Sequence, residues 1–433
     1  RGDGAGPGPN PNPNPNPESS PSPNPNNEPA IIAPFPPQLQ SRAFLERHNA
    51  THIAGMLLGH VRHIADPEPN PRATQPAAVA SPVGATWAQK AALLDAAAVA
   101  GLDDANVVDC GSCAAAAYGI LRHPANAASS QHPLVVFIDV GASQASVTVC
   151  QYDARGQRCR VLAQGWDDAV STRALDDAVL GIIRSKVSEP SPGPRLQARL
   201  EKAAERAKTV LSANREAPWH VECATPDGSD ASGVVSRSQL EEVAADLEAE
   251  AAALARGVLE AALDRALGLG LGAREESLES LPIEDLSVEV VGGGAAVPLL
   301  RRGFEEGLKL ALEAKDLGTL TPSLSLGRSM NPFEAPAIGA TLVAAMESKR
   351  AAPGSRLRAY RLESVLGLRV RFRVELFEGD DPNPKFTAVH EVPAGASYPS
   401  VSDVTLELNL NPNPNPSPKP NPKPNPNPEL TLK

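Results

Sequence analysis

The chain has 433 residues, enough for two or three domains with a sizeable core, and its formal net charge of −11 argues against a phosphate-reading nucleic-acid surface. Five cysteines, an odd number, in a chain without a signal-peptide pattern point to a reducing, cytoplasmic setting rather than a disulfide scaffold. No apolar run approaches the roughly 20 residues of a membrane span, so no membrane partner is expected.

The 44 prolines are concentrated at the two ends, where Asn10 to Pro17 and Asn411 to Pro428 repeat Asn-Pro almost without interruption. Proline removes a backbone donor and holds its predecessor extended, so residues 1–40 and 411–433 read as tails outside the fold. Phe44 to Ala65 carries Ile53, Met56, Leu57, Val61 and Ile64 at helical spacing, and predicts an amphipathic helix. His48, His52, His60 and His63 lie on or near it, and although His60 and His63 are close enough to share a metal, a solvent-facing stripe is the favoured reading. A proline-rich connection runs through Pro82. The alanine-rich Trp87 to Leu102 is strongly helix-forming and ends at Gly101. Val107 and Val108 then form a short strand, and Ala114 to Ala117 a packed helix ending near Gly119. Cys110 and Cys113 make a Cys-x-x-Cys, but no second pair stands at zinc spacing, which favours packing over metal or redox chemistry.

Leu134 to Asp139 and Ser146 to Gln151 predict a hairpin whose turn carries Asp139, Gly141, Ser143 and Gln144. Helical segments follow from Leu175 to Leu211. Val221 to Cys223 can be a strand, and Ser236 to Leu267 one long helix with Leu240, Val243, Leu247, Leu254, Val258 and Leu263 on one side. Next comes Val288 to Val297, VEVVGGGAAV, in which a strand runs into Gly292, Gly293 and Gly294, and Pro298 opens a helix over Leu299 to Leu312. Glycines there let backbone approach a flat or anionic ligand beside free helix-start amides. A tight turn after a buried strand accounts for them as well, since no GxGxxG or GxxxxGK[ST] pattern is present. Another helix spans Glu334 to Met346. Beyond Arg356 the period changes to two, through Leu368, Val370, Phe372, Val374 and Leu376 and again over Val401 to Leu410, and predicts a small β module.

Several of these stretches, in this order, resemble the 70-kDa heat-shock chaperone superfamily and within it the large 110-kDa branch. The helix WAQKAALLDAAAVAGL with VVDCGSCAAAAYGI resembles the family's first connecting segment, and VVFIDVGASQASVTV its second phosphate hairpin. ERAKTVLSAN resembles the adenine-facing helix, SGVVSRSQLEEV a segment of the large branch, VVGGGAAVP the adenosine motif, and NPFEAPAIGATLVAA the second connecting helix. The resemblance implies an α/β protein with a two-lobed, actin-like (ribonuclease H-like) ATPase domain over 41–350, incomplete at its N-terminus. The start of a β-sandwich peptide-binding domain would follow over 356–410. It implies ATP or ADP with Mg²⁺ as cofactor, and a 70-kDa chaperone and unfolded polypeptides as partners. Asp139 would stand near the metal and its waters, as the catalytic position, and Gly141, Ser143 and Gln144 near the phosphates. Glu205, Lys208 and Ser212, three and four apart on one helix face, would line the adenine and ribose, and Gly292, Gly293 and Gly294 would pass beneath the nucleoside. The glycine bend and the aspartate hairpin would then face a shared gap. Without the resemblance, Asp139 reads as the end of a strand and Glu205 with Lys208 as a solvated helix face.

The pattern departs from the family at many chemical positions. No counterpart of its first phosphate hairpin or of its lysine is found, residues 1–37 being dominated by Pro, Asn and Gly. Cys110 stands for a glutamate and Gly111 for a proline. Ala142, Ser143 and Gln144 stand for Gly-Gly-Thr, Ser146 for an aspartate, Thr209 for a basic residue, Ala296 for an arginine and Phe333 for an aspartate. Each lost donor or carboxylate removes about 2–4 kcal/mol of transition-state stabilisation. The expectation is therefore a chaperone or nucleotide-exchange partner with weak ATP binding and hydrolysis weak or lost; the alternative is an interaction protein on the same scaffold that binds no nucleotide. A sugar kinase or phosphatase on this fold would leave the β module unexplained.

Overall fold

The computed structural model describes residues 48–66, 76–122, 133–152, 158–187, 193–225, 228–267, 286–318, 326–347, 357, 360–365, 370–376, 386–392 and 397–398. The tails, the start of the β module at Arg356 and Val401 to Leu410 lie outside them. The first elements are α1 (Ala50–Ala65), β1 (Ala77–Ser81), α2 (Trp87–Val99), β2 (Ala105–Asp109) and α3 (Cys110–Leu121). β1 and β2 pair in parallel, joined by α2. A reciprocal box starts α2, in which Thr86 Oγ1 accepts from Gln89 N while Gln89 Oε1 accepts from Thr86 N. Against the expectation for α1, its apolar stripe is not its packed face: Met56, Leu57, Val61 and Ile64 are exposed. Gly55 is the buried residue, its missing Cβ admitting Val99, and Arg62 donates to Ala100 O at 2.9 Å. The two helices approach through a small residue and a cap, which periodicity cannot show.

β3 (Leu134–Val140), β4 (Ala145–Tyr152) and β5 (Arg158–Asp167) form an antiparallel meander. β5 was not foreseen, because its arginines and Gly165 break the apolar run, and neither was β1, because alanine is a poor strand former. Then come α4 (Thr172–Arg184) and α5 (Pro194–Ala213). The antiparallel pair β6 (Glu216–Val221) and β7 (Ala231–Ser236) follows. The strand expected at Val221 to Cys223 lies earlier, and Cys223 sits in a turn at φ 47. The long helix expected over Ser236 to Leu267 is two, α6 (Arg237–Val243) and α7 (Ala245–Ala266), since Ala244 leaves helical geometry at φ −103 and ψ 17. β8 (Leu286–Val291) leads through a short 3₁₀ turn, Gly293–Ala296, into α8 (Pro298–Glu313), and β9 (Leu326–Gly327) precedes α9 (Ala335–Glu347).

β8 adds in parallel to β3 and β9 to β8, so the main sheet contains the run β5-β4-β3-β8-β9. Its alternation serves two cores. Leu134, Val136 and Ile138 face α4, α5, α7 and α8, and Val135 and Phe137 face α3 and α9. α3 and α9 cross so closely that a Cβ on Gly339 would stand 1.8 Å from Cys113 O. The region expected to form the β module carries β10 (Arg361–Val365), β11 (Val370–Leu376), β12 (Phe386–Val392) and β13 (Ser397–Tyr398). β11 and β12 make a hairpin, whereas β10 extends the main sheet in parallel beside β5, with β13 outside it. Glu363 ties β10 down through Arg160 at 2.8 Å and Arg158 at 2.5 Å, and Ser364 Oγ lies 3.0 Å from Ser112 Oγ of α3.

Candidate functional site

The site is built at the carboxyl ends of β3 and β8. Because these strands are parallel neighbours with Asp139 in register with Val291, the aspartate hairpin and the glycine bend leave the sheet side by side. Both therefore stand at the same edge of the sheet, the carboxyl ends of the strands, where α/β sheets commonly receive ligands.

The three glycines have different jobs. Gly292 holds φ +83, and a Cβ there would stand 2.4 Å from Val140 O and 2.5 Å from Asp139 Oδ1. Gly294 is buried, and its Cβ would strike Val140 Cγ1 at 2.4 Å and Thr172 Cγ2 at 2.6 Å. These two are glycine so that the turn can lie on the end of β3 and under the start of α4. Of the three only Gly293 is exposed, and a Cβ there would meet nothing closer than the Phe333 ring at 3.4 Å, an ordinary contact.

Asp139 is largely buried. Burial pushes its carboxyl above the usual carboxylate range, and the Cys110 thiol, which donates to it, offsets only part of that rise. Cys110 is itself raised, by burial and then by the Asp139 charge, and its sulfur accepts from the Val83 backbone amide. The hairpin tip, Gly141 to Gln144, closes with Gly141 N donating to Gln144 O at 2.9 Å. Thr172 N and Arg173 N at the start of α4 donate to Gly141 O and Ala142 O, and Ala174 N donates to the capping Ser171 Oγ. The first amides of α4 are thus taken by protein acceptors. Gln144 Nε2 donates to Val83 O at 3.1 Å. Both backbone groups of Val83 are therefore engaged, its carbonyl by Gln144 and its amide by Cys110.

The next residue, Gly84, has φ +82, and the Trp166 indole lies flat on it, 2.1 Å from where a Cβ would be. This loop pins the α1–β1–α2 layer onto the main sheet and walls a 440 Å³ cavity that also touches Ser143, Gln144 and Asp168. Behind it, Asp109 caps α3 through Ser112 N at 2.7 Å and accepts from Gln164 Nε2 at 2.6 Å. Val83, Gly84, Trp166 and Gln164 were not singled out from sequence. The only signal was a Pro-Val-Gly after small residues and one of just three tryptophans.

On α5, Lys208 does not point to open space. Its Nζ pairs with Asp176 at 2.7 Å and reaches Thr172 O, beneath Gly294. Ser212 Oγ donates to Lys208 O, and Glu205 is exposed on the same helix. The structure thus gathers Gly141, Gly294 and Lys208 around Thr172, and sets Gly292 against Asp139 and Val140, mostly through packing. Ser143, Gly293 and Phe333 remain accessible. Among the described residues no three His, Cys, Asp or Glu side chains converge. Mg²⁺ usually keeps several waters and takes one or two carboxylates plus substrate phosphates, so Asp139 through water, with the phosphate oxygens of a nucleotide, would hold it here.

Comparison with known proteins agrees with this architecture. The sequence profile of the family described as Hsp70 protein matches residues 36–379. A heat shock protein homolog of the yeast Lachancea kluyveri is 28% identical over 364 residues, 83% of this chain and 46% of that protein. Two Arabidopsis thaliana proteins also match. Heat shock 70 kDa protein 16 is 27% identical over 84% of this chain and 42% of its own length, and heat shock 70 kDa protein 14 is 30% identical over 60% and 29%. The chain spans less than half the length of these relatives. With a profile match across most of its length, the chain belongs to the Hsp70 family, whose fold is the actin-like ATPase fold.

Proposed function

We propose that this protein is a chaperone or co-chaperone of the Hsp70/Hsp110 type that works in the cytoplasm without turning over ATP. It would hold unfolded polypeptides or assist nucleotide exchange on a 70-kDa partner. Its nucleotide-binding domain would be the one read from the sequence over 41–350, extended by β10 at its sheet edge, and a peptide-binding module would begin with the β11–β12 hairpin. The observation that carries this reading is the capture of Val83 by Gln144 and Cys110. Hydrolysis needs donors and carboxylates free to meet water and the terminal phosphate, and here those positions join one layer of the protein to the other. Asp139 sits in a desolvated spot against a thiol, where ionisation is disfavoured. Binding of ATP or ADP with Mg²⁺ carried on the phosphates would rest on the exposed rim, Ser143 and Gly293, and would be weak.

The test uses the full chain. It should suppress light scattering by a heat-denatured client protein at equimolar ratio, and release no phosphate from ATP above a buffer blank. Sustained phosphate release would overturn the non-hydrolytic reading, and unchanged scattering would overturn the chaperone reading. The closed packing of Gly292 and Gly294 favours a second reading, a docking scaffold that binds no nucleotide. Isothermal titration with ATP and Mg²⁺ separates the two, since heatless mixing at high concentration selects the scaffold.

A further inference from the structure

On the side away from β2, β1 is an open strand edge. The two strands pair over five residues in continuous parallel register, and among the described residues their sheet has no third member. Ala77 N donates to Asp104 O at 3.1 Å, which turns the backbone groups of Ala77, Val79 and Ser81 toward β2. Those of Ala78 and Ala80 therefore point the other way, where no described strand receives them. Ala77 to Ala80 are all partly exposed. Proteins guard such edges with a lysine, a proline or a bulge, and β1, AAVAS, has none of the three. At its carboxyl end Ser81 Oγ is buried without a hydrogen-bond partner. Directly beyond, at Pro82 to Ala85, lies the 440 Å³ cavity, walled also by Ala54 of α1, Leu93 of α2 and the Trp166 indole. Among the described residues Asp168 is the one charge lining it, so it suits an apolar or basic side chain and not an acidic one.

We propose that the β1 edge receives an extended polypeptide segment as a third strand, with one side chain of that segment seated in the cavity beyond Pro82. The occupant is a stretch of unfolded client protein; this rests on the reading that the protein holds unfolded polypeptides, and it names where. Two separate observations select that chemistry. Outward N–H and C=O groups alternating along an edge are matched by another extended backbone, and the alanines and valine there are too small to bar its approach. The cavity supplies what backbone pairing lacks, a preference among side chains. Neither feature uses Asp139 or the glycine bend, so the site works without nucleotide.

The test is fluorescence anisotropy of the full chain with a labelled octapeptide of alternating serine and leucine carrying one central phenylalanine. Two further peptides accompany it, one with its four central amides N-methylated and one with aspartate in place of the phenylalanine. Ala80→Pro removes the outward amide while leaving the bonds to β2, so it should melt near the wild type by circular dichroism. The wild type should bind the parent peptide. Affinity should fall about fivefold or more for each altered peptide, and by as much for the parent peptide on Ala80→Pro. If Ala80→Pro melts low, the methylated peptide on the wild type decides alone. Equal binding of the methylated peptide, or undiminished binding by a folded Ala80→Pro, would overturn strand addition at β1. If the wild type suppresses client light scattering but binds no peptide, this inference fails and the holding role stands. If it does neither, both fail together.

Discussion

Gly292→Ala is the substitution whose outcome the geometry dictates most directly. At φ +83 and ψ 158 the residue occupies backbone space that L side chains rarely enter, a strain of about 1–3 kcal/mol. The new Cβ would also lie 2.4 Å from Val140 O and 2.5 Å from Asp139 Oδ1, so the ends of β3 and β8 must part, an overpacking cost of about 1–3 kcal/mol. Together these remove about 2–6 kcal/mol, a large share of the roughly 5–15 kcal/mol that a domain possesses. At about 2–4 °C per kcal/mol, melting should fall by between about 4 and 24 °C. Far-UV circular dichroism against temperature measures it, with two internal references. Gly293→Ala, next along the chain, meets only Phe333 at 3.4 Å and should change little. Gly181→Ala, inside α4 with nothing within 4 Å, should raise stability by up to about 1 kcal/mol. A Gly292→Ala protein that melts with the wild type would refute the side-by-side packing of the glycine bend and the aspartate hairpin on which the site is built.

Asp139→Asn should melt higher than the wild type at neutral pH. A carboxyl whose folded value lies above its unfolded one favours folding in acid and opposes it as pH rises past the unfolded value, so the gain should shrink on acidification; equal melting at pH 7 would contradict the burial. Glu363 behaves in the opposite sense. Burial pushes its carboxyl up, but Arg160 and Arg158 outweigh that and leave it below the ordinary Glu value. Its contribution is complete above the unfolded value and is lost as pH falls through the folded one. Hydrogen exchange in Arg361–Val365 should therefore quicken in acid, and Glu363→Gln should flatten that dependence. Gly84→Ala, at φ +82 under the Trp166 indole, should part the α1–β1–α2 layer from the sheet, shift tryptophan emission to the red and speed proteolysis; unchanged emission would remove Val83 and Gly84 from the account.

Period and punctuation in the sequence were enough to determine the connecting helices, the β3–β4 hairpin, and the strand, glycine bend and helix from Leu286 to Glu313, because burial on one face imprints itself on the chain. Family order in turn pointed to an actin-like lobe. Tertiary structure alone decided what has no local signature. An alanine strand such as β1 exists because a neighbour supplies its hydrogen bonds, and β5 because β4 and β10 flank it. Likewise, Gly292 and Gly294 look like a ligand cradle in sequence but are closed by Val140 and Thr172. Lys208 looks like an adenine or ribose contact but is paired with Asp176. A residue's type limits the chemistry it can perform; whether that chemistry faces a ligand or another part of the chain depends on residues far away in sequence, and only their packing reveals it.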